Sequence, residues 1–276
     1  MNTHITDEQI ASYQQNGFVI IDDFLNQEEL EHWRKSVDEA AANRKGKALP
    51  DRAEVQEGAD RTFVNKVFDQ LINLWQDNES MKEIMMDARI GEMVAKLAQI
   101  DEVRIWHDQA LIKQPWGNPS TLHTDTPYWS FHNQQALSIW VALDDATLQN
   151  GCLYFLPGTH KQTNYNPAGF TADMDEVFNL YPEFRKIEPV AATMKAGSCS
   201  FHCGLTVHGA NANMTPYARR AMTCAYMPGG SIFNGQQNIL NDEIFSSLKV
   251  GDVMQNDVQN PVIYSKKEQL ETISSK

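Results

Sequence analysis

Leu137-Ser138-Ile139-Trp140-Val141-Ala142-Leu143, then Asn150-Gly151, then Cys152-Leu153-Tyr154-Phe155-Leu156 closed by Pro157-Gly158, is the stretch that decides the fold. Both apolar runs are short and bounded by turn residues, which reads as strands. Asn150 and Gly151 both tolerate positive φ, so the pair between two apolar runs is a hairpin signal. The same texture recurs at Val103 to Ile112, Ser198 to Cys203 and Arg220 to Met227. The region after Asp101 is therefore expected to be a β-sandwich or barrel.

The N-terminal third reads differently. Thr6 with Gln9 three residues on forms a capping-box signature, Ile10 and Tyr13 follow at helical spacing, and Gly17 is a stop. A short apolar run, Phe18 to Ile21, comes next. Asn26 caps a second expected helix, with Glu28 and Glu29 in its first turn and Leu30, Trp33 and Val37 on one face, ending near Asn43. From Arg44 to Arg61 the chain is polar and holds Gly46, Pro50 and Gly58, which reads as a loop of the kind that covers active sites. Ile84, Met85, Ala88, Val94 and Leu97 predict one more helix from about Ser80 to Ala98.

With 276 residues, 42% hydrophobic and 21% charged, the chain can bury a large core, and one domain of this size is ordinary for a sandwich or barrel. A formal charge of −13 without a Lys/Arg cluster disfavours nucleic acid as a partner. No run of 18 or more apolar residues is present, so no membrane association is expected. Asp7, Glu8, Asp22 and Asp23 stand where a signal peptide would be basic and then apolar, so the expected location is the cytoplasm. Cys152, Cys199, Cys203 and Cys224 form no CxxC pair and are read as reduced thiols.

Leu122-His123-Thr124-Asp125-Thr126 sets an imidazole and a carboxylate at i and i+2, and on an extended strand both point the same way. A His-x-Asp triplet alone is weak evidence. The later segment Val207-His208-Gly209-Ala210 adds a second imidazole. Two histidines and a carboxylate on one face of a metal leave open positions that suit iron(II), although zinc hydrolases use similar ligands. Arg219, eleven residues after His208, supplies a planar guanidinium able to grip a carboxylate in a bidentate fork. Arg219 and Arg220 are adjacent, so on a strand only one points inward. Spacing favours Arg219.

Taken together, His123-x-Asp125, Trp140-Val141-Ala142-Leu143-Asp144 leading to Asn150-Gly151-Cys152-Leu153, Leu156-Pro157-Gly158-Thr159-His160, and His208-Gly209 with Arg219 resemble the phytanoyl-CoA dioxygenase family. The resemblance runs from Gly17-Phe18-Val19 to near Tyr226. It implies a mainly β fold with flanking helices around a double-stranded β-helix (jelly-roll, cupin-like) core. It also implies iron(II) held by His123, Asp125 and His208, with 2-oxoglutarate as cosubstrate and dioxygen as oxidant. The expected layout is a single oxygenase domain over 1–276, with 1–100 a mainly helical part packed on a 101–230 jelly roll and 231–276 a C-terminal extension.

Carried over by position, Gln109, Trp140 and Lys66 resemble residues of the 2-oxoglutarate pocket. Ala210 stands where the family often has a serine, which removes one cosubstrate hydrogen bond worth about 1 kcal/mol. Related halogenases have a small residue in place of the acid, so the retained Asp125 points to hydroxylation of a small-molecule substrate. The alternatives are a catalytically silent jelly-roll ligand sensor and a zinc hydrolase. Trp129, His202 and Phe233 are the candidate substrate contacts. His202 reaches the site only if Gly204-Leu205 makes a turn, and His4, His32, His107, His132 and His160 are expected to be surface or hydrogen-bonded core residues.

Overall fold

The computed structural model describes residues 1–44, 66–168, 173–267 and 269–270. Two facing antiparallel sheets form its centre. The large sheet runs in the order β1 (Phe18–Ile21), β8 (Cys199–Cys203), β5 (Leu137–Ala142), β10 (Arg219–Pro228), β3 (Glu102–Lys113) and β11 (Val262–Ser265), with β2 (Asp69–Ile72) sharing the outer edge of β3. The small sheet runs β4 (Ser120–His123), β9 (His208–Ala210), β6 (Leu153–Phe155), β7 (Val190–Ala192). This is the mainly β, jelly-roll architecture with flanking helices that the resemblance implies, and it agrees with the sandwich or barrel expected from the strand texture.

The expected layout differs at three points. The apolar run Phe18 to Ile21, inside the part expected to be mainly helical, is a strand, paired with β8 from Phe18↔His202 to Ile21↔Cys199. Together with β2 and β11 it carries the large sheet into both the 1–100 and the 231–276 segments, because β3 and β8 each have an edge that the central strands leave unpaired. Asn150-Gly151 makes its turn, with Gly151 at φ 89°, but it is no hairpin. Both edges of β5 are already occupied by β8 and β10, so the chain crosses to the small sheet instead.

The helices follow their caps. Helix α1 (Asp7–Asn16) begins with the full Thr6/Gln9 capping box and ends at Gly17 in the left-handed region. Helix α2 (Gln27–Arg44) is opened by Asn26 and Glu29, each side chain accepting the other's backbone N–H at 2.9 Å. The single helix expected from Ser80 to Ala98 is two, α3 (Glu79–Met85) and α4 (Ala88–Ala98). Asp87 is the cause: its extended backbone breaks the first helix and its carboxylate caps the second by accepting Arg89 N–H (2.9 Å). Buried Ile90, Val94 and Leu97 seat α4 against α1 and β11, each contributing roughly 1.5–3 kcal/mol of burial. The polar loop expected after Arg44 falls almost entirely outside the described residues.

Asp108 ties this helical layer to the outer face of β3. Its carboxylate accepts Trp75 N–H (3.1 Å) and its carbonyl accepts Asn73 N–H (3.0 Å). Burial pushes the Asp108 carboxyl up to about 7, against the opposing effect of those amides and Arg44. A folded-state value above the unfolded one means that the acid costs nothing near pH 4 and that its cost grows as pH rises toward 7. Asp108→Asn should therefore gain stability relative to the wild type as pH goes from 4 to 8, at up to about 1.4 kcal/mol per pH unit. Urea unfolding of both proteins across that range checks this, and parallel pH profiles would contradict it.

Candidate active site

The small sheet brings His123 and His208 together as cross-strand partners of β4 and β9. Their rings lie 4.4 Å apart. His123 Nδ1–H donates to Thr121 O (2.8 Å) and His208 Nδ1–H to Thr206 O (2.9 Å), in each case the carbonyl two residues back. Because a carbonyl can only accept, the proton sits on Nδ1 and each ring presents the Nε2 lone pair. Both Nε2 atoms face Asp125 Oδ1, at 3.6 Å and 3.7 Å.

Asp125 is placed otherwise than an extended His-x-Asp strand would place it. Strand β4 stops at His123, and Asp125 has helical dihedrals, φ −81° and ψ −48°, at the head of a short turn. What fixes it is Gly204, whose carbonyl accepts both Asp125 N–H (2.8 Å) and Thr126 N–H (3.0 Å). The same turn after β8 reverses the chain, with Thr206 N–H donating to Cys203 O, and sets the His202 and His208 rings 4.4 Å apart. His202 thus reaches the site by the turn at Gly204 that its spacing required.

One ligand atom from each of His123, Asp125 and His208 falls within 4.8 Å of the others, a set of donors able to close on one cation. Burial opposes the charge on Asp125, but His208, His202 and His123 hold its carboxyl well below the usual range. Burial, and then His208, pushes His123 down to about 4, and burial pushes His208 to about 4. A carboxylate and two neutral imidazoles are the protonation states that metal binding needs. The second Asp125 oxygen accepts from Ser138 Oγ (3.3 Å) and His202 Nε2–H (3.3 Å), which leaves Oδ1 for the cation.

The large sheet supplies the rest, in rows fixed by its register. His107, Ala225, Ser138 and His202 are successive partners across β3, β10, β5 and β8, and Gln109, Thr223, Trp140 and Ser200 form the next row. Gln109 Nε2–H donates to His107 Nδ1 (3.2 Å), while Gln70 donates to Gln109 Oε1. Burial pushes His107 down to about 4. Trp140 carries the Arg219 guanidinium 5.0 Å from its ring centre. Arg219 is buried and donates to Gly151 O (3.0 Å), while among the described residues its buried Nε and Nη1 have no hydrogen-bond partner. Arg220 points the other way, to Asp144 and Asp38.

Lys66 is exposed, in the turn before β2, where its carbonyl accepts Asn118 N–H (2.7 Å), so the structure does not carry it into this interior. The buried lysine beside Arg219 is Lys113, across the strand pair from it. Trp129 is buried with its ring edge-on to His107 at 6.3 Å. Phe233 is buried in the same apolar cluster, bridged to Phe131 and packed on Phe245, so the segment after Gly229 is a paired excursion. Ala210 N–H donates to the Ser120 hydroxyl across the strand pair (2.7 Å). His107, Ser138 and Lys113 were not among the expected site residues, although each lies on the same strand face as one that was.

A model of the phytanoyl-CoA dioxygenase family matches residues 13–221. The chain belongs to that family. Among its relatives, the peroxisomal phytanoyl-CoA dioxygenase of Mus musculus is 24% identical over 236 residues, covering 82% of this chain and 69% of that protein. Of solved structures, the non-haem α-ketoglutarate-dependent carbocyclase SnoK from nogalamycin biosynthesis superposes with a TM-score of 0.74 at 23% identity, covering 94% of this chain and 96% of the other. EctD from S. alaskensis, with 2-oxoglutarate and 5-hydroxyectoine, gives 0.64 at 23%, covering 83% and 78%. Among the described residues of this phytanoyl-CoA dioxygenase family member, no helix is long and apolar enough to cross a membrane.

The residues present fit the iron(II) and 2-oxoglutarate that the family implies: two Nε2 lone pairs and one carboxylate oxygen converge, and a buried guanidinium has two nitrogens with no hydrogen-bond partner among the described residues. His202→Ala should weaken iron(II) affinity by about 10-fold or more, because Asp125 Oδ2 loses a donor that aims the carboxylate. Anaerobic competition against a chelator measures this, and an unchanged affinity would remove His202 from the support of the metal site.

Proposed function

We propose that this protein is an iron(II)- and 2-oxoglutarate-dependent dioxygenase that hydroxylates a small-molecule substrate, releasing succinate and CO2. The observation that carries the reading is Arg219: a buried guanidinium with two donor nitrogens unpartnered among the described residues, stacked on Trp140, in the same interior as a His-Asp-His set. The metal ligands alone would also suit a hydrolase, so it is the buried guanidinium in the same interior that favours a 2-oxoacid with a distal carboxylate.

Iron(II) and 2-oxoglutarate, when bound, supply the oxidising chemistry. The chain's part is to hold and exclude. His123, Asp125 and His208 would hold the metal on one side only. Arg219 would bind the distal carboxylate in a bidentate fork, and Trp140 would form the wall along which the keto acid lies. Asp125 fills the position that a halide would need, which supports hydroxylation. Gln109 is proposed beside Trp140 in the 2-oxoglutarate pocket, and Trp129, His107 and His202 are the proposed substrate contacts, polar groups set in an aromatic wall of the kind that orients a small molecule. The mouse relative's name does not carry its substrate to this chain, and the expected cytoplasmic location stands as a proposal beside a relative named peroxisomal.

With iron(II), 2-oxoglutarate and oxygen, the protein should release succinate, and His123→Ala and Asp125→Ala should drop to the rate seen without protein while keeping a cooperative unfolding transition. A panel of small molecules should contain some that accelerate succinate release and gain one oxygen atom by mass spectrometry. Undiminished turnover in both variants would sink the reading. Tight 2-oxoglutarate binding with no oxygen-dependent product would favour a silent sensor.

A further inference from the structure

Lys113 ends β3 directly across from Arg219, the first residue of β10. Cross-strand partners point to the same face, so two cations stand side by side between the sheets, an arrangement that opposes folding. Lys113 is fully buried and Arg219 is 3% exposed. The acids nearby serve Arg220, which takes both Asp144 and Asp38, and among the described residues neither Lys113 nor Arg219 is in an ion pair.

The position is built. Gly151, at φ 89°, makes room for the lysine stem, since a Cβ there would stand 2.7 Å from Lys113 Cδ, and its carbonyl holds Arg219. Lys113 donates one of its three N–H groups to Asn118 O (2.6 Å), and Asn213 Nδ2 donates to Lys113 O (3.2 Å). The remaining groups that face the pair are the Cys152 thiol beside Arg219 and, at longer range, Asp144. Asp69, across the outer edge of the sheet beside Ile112, is exposed. A buried charge with no counter-ion is costly, and the cost is relieved when an anion arrives.

We propose that Lys113 is the second cation of the cosubstrate site, sharing with Arg219 the distal carboxylate of 2-oxoglutarate, so that binding the dicarboxylate takes up a proton. The inference rests on the 2-oxoglutarate reading above. Burial, and then the Arg219 charge, pushes Lys113 down to about 7. A carboxylate placed between the two cations raises it again. Below pH 7 the lysine is charged with or without ligand and affinity is flat. Above pH 7 the ligand-free lysine is neutral, so binding must bring a proton and affinity falls as pH rises.

The experiment is anaerobic titration calorimetry of 2-oxoglutarate into the iron(II)-loaded protein at pH 8, in two buffers of unlike ionisation heat. The wild type should take up close to one proton. Lys113→Met should bind about tenfold or more weakly with no uptake. Lys113→Arg should keep affinity near that of the wild type but take up none, because a guanidinium stays charged. Affinity and proton uptake in Lys113→Met equal to the wild type would overturn the role of Lys113 alone. If that variant does not fold, wild-type proton uptake in Lys113→Arg overturns it equally. A wild type that binds iron(II) but no 2-oxoglutarate would overturn the cosubstrate reading, and this proposal with it.

Discussion

An antiparallel ladder holds the side chains of cross-strand partners about 5 Å apart, and this spacing turns two strand residues into one metal site. His123 and His208 are such partners in the small sheet. Neither ring needs a specific packing cavity to aim it, since each is pinned through Nδ1 to the carbonyl two residues earlier in its own chain. The carboxylate is held by different means. Asp125 lies past the end of β4, and its place depends on the Gly204 carbonyl gripping two successive amides. The site therefore depends on the turn between β8 and β9 as much as on the strands, and the same turn delivers His202 to the other Asp125 oxygen. A His-x-Asp triplet is a poor predictor by itself because the geometry is made by a segment about 80 residues further along the chain.

Much of the fold was legible because it rests on local chemistry. Thr6 with Gln9, Asn26 with Glu29, and Gly17 determine helix ends through a few hydrogen bonds within four residues, and the structure has them as expected. The break at Asp87 is hidden for a related reason: the apolar spacing of the expected Ser80 to Ala98 helix runs through it, but an aspartate whose side chain accepts the N–H two residues on starts a new helix more readily than it continues one. Sheet membership was harder to see. Nothing in Phe18 to Ile21 says which strand it will pair with, because the answer lies in the open edge of β8, far along the chain. Asn150-Gly151 likewise specifies a turn but not the sheet that the chain enters next.

The site was legible where a residue's chemistry announces it, and illegible where only its strand face does. Gln109 and Trp140 were expected in the interior. Period-two alternation from Gln109 reaches His107 and Lys113, and from Trp140 it reaches Ser138. All three line the same face in the structure, by the register of β3 and β5. His107 is a buried, hydrogen-bonded core residue as expected, and the alternation also brings it to the site face, whereas Lys113 is hidden because the expected strand ends one residue short of it. Lys66, picked by position within the resemblance, lies exposed because the turn before β2 runs along the outside of β3, with Asn118 donating to its carbonyl.

Net charge misleads about ligand sign at short range. A chain of formal charge −13 repels polyanions at its surface, yet that repulsion is screened over about 10 Å in physiological salt. Inside the sandwich the field is set by the few groups present, and these are sorted: Asp125 with its imidazoles at one place, Arg219 and Lys113 at another, with Trp140 beside the guanidinium. Under the proposed reading this sorting gives a keto acid one orientation, since its distal carboxylate is stabilised beside the cations and repelled by Asp125. Under the same reading the sorting accounts for a lysine and an arginine left without an acid beside them: moving an acid in to pair with them would remove the ligand's binding energy, so the cost of holding those groups together there would be what the ligand relieves.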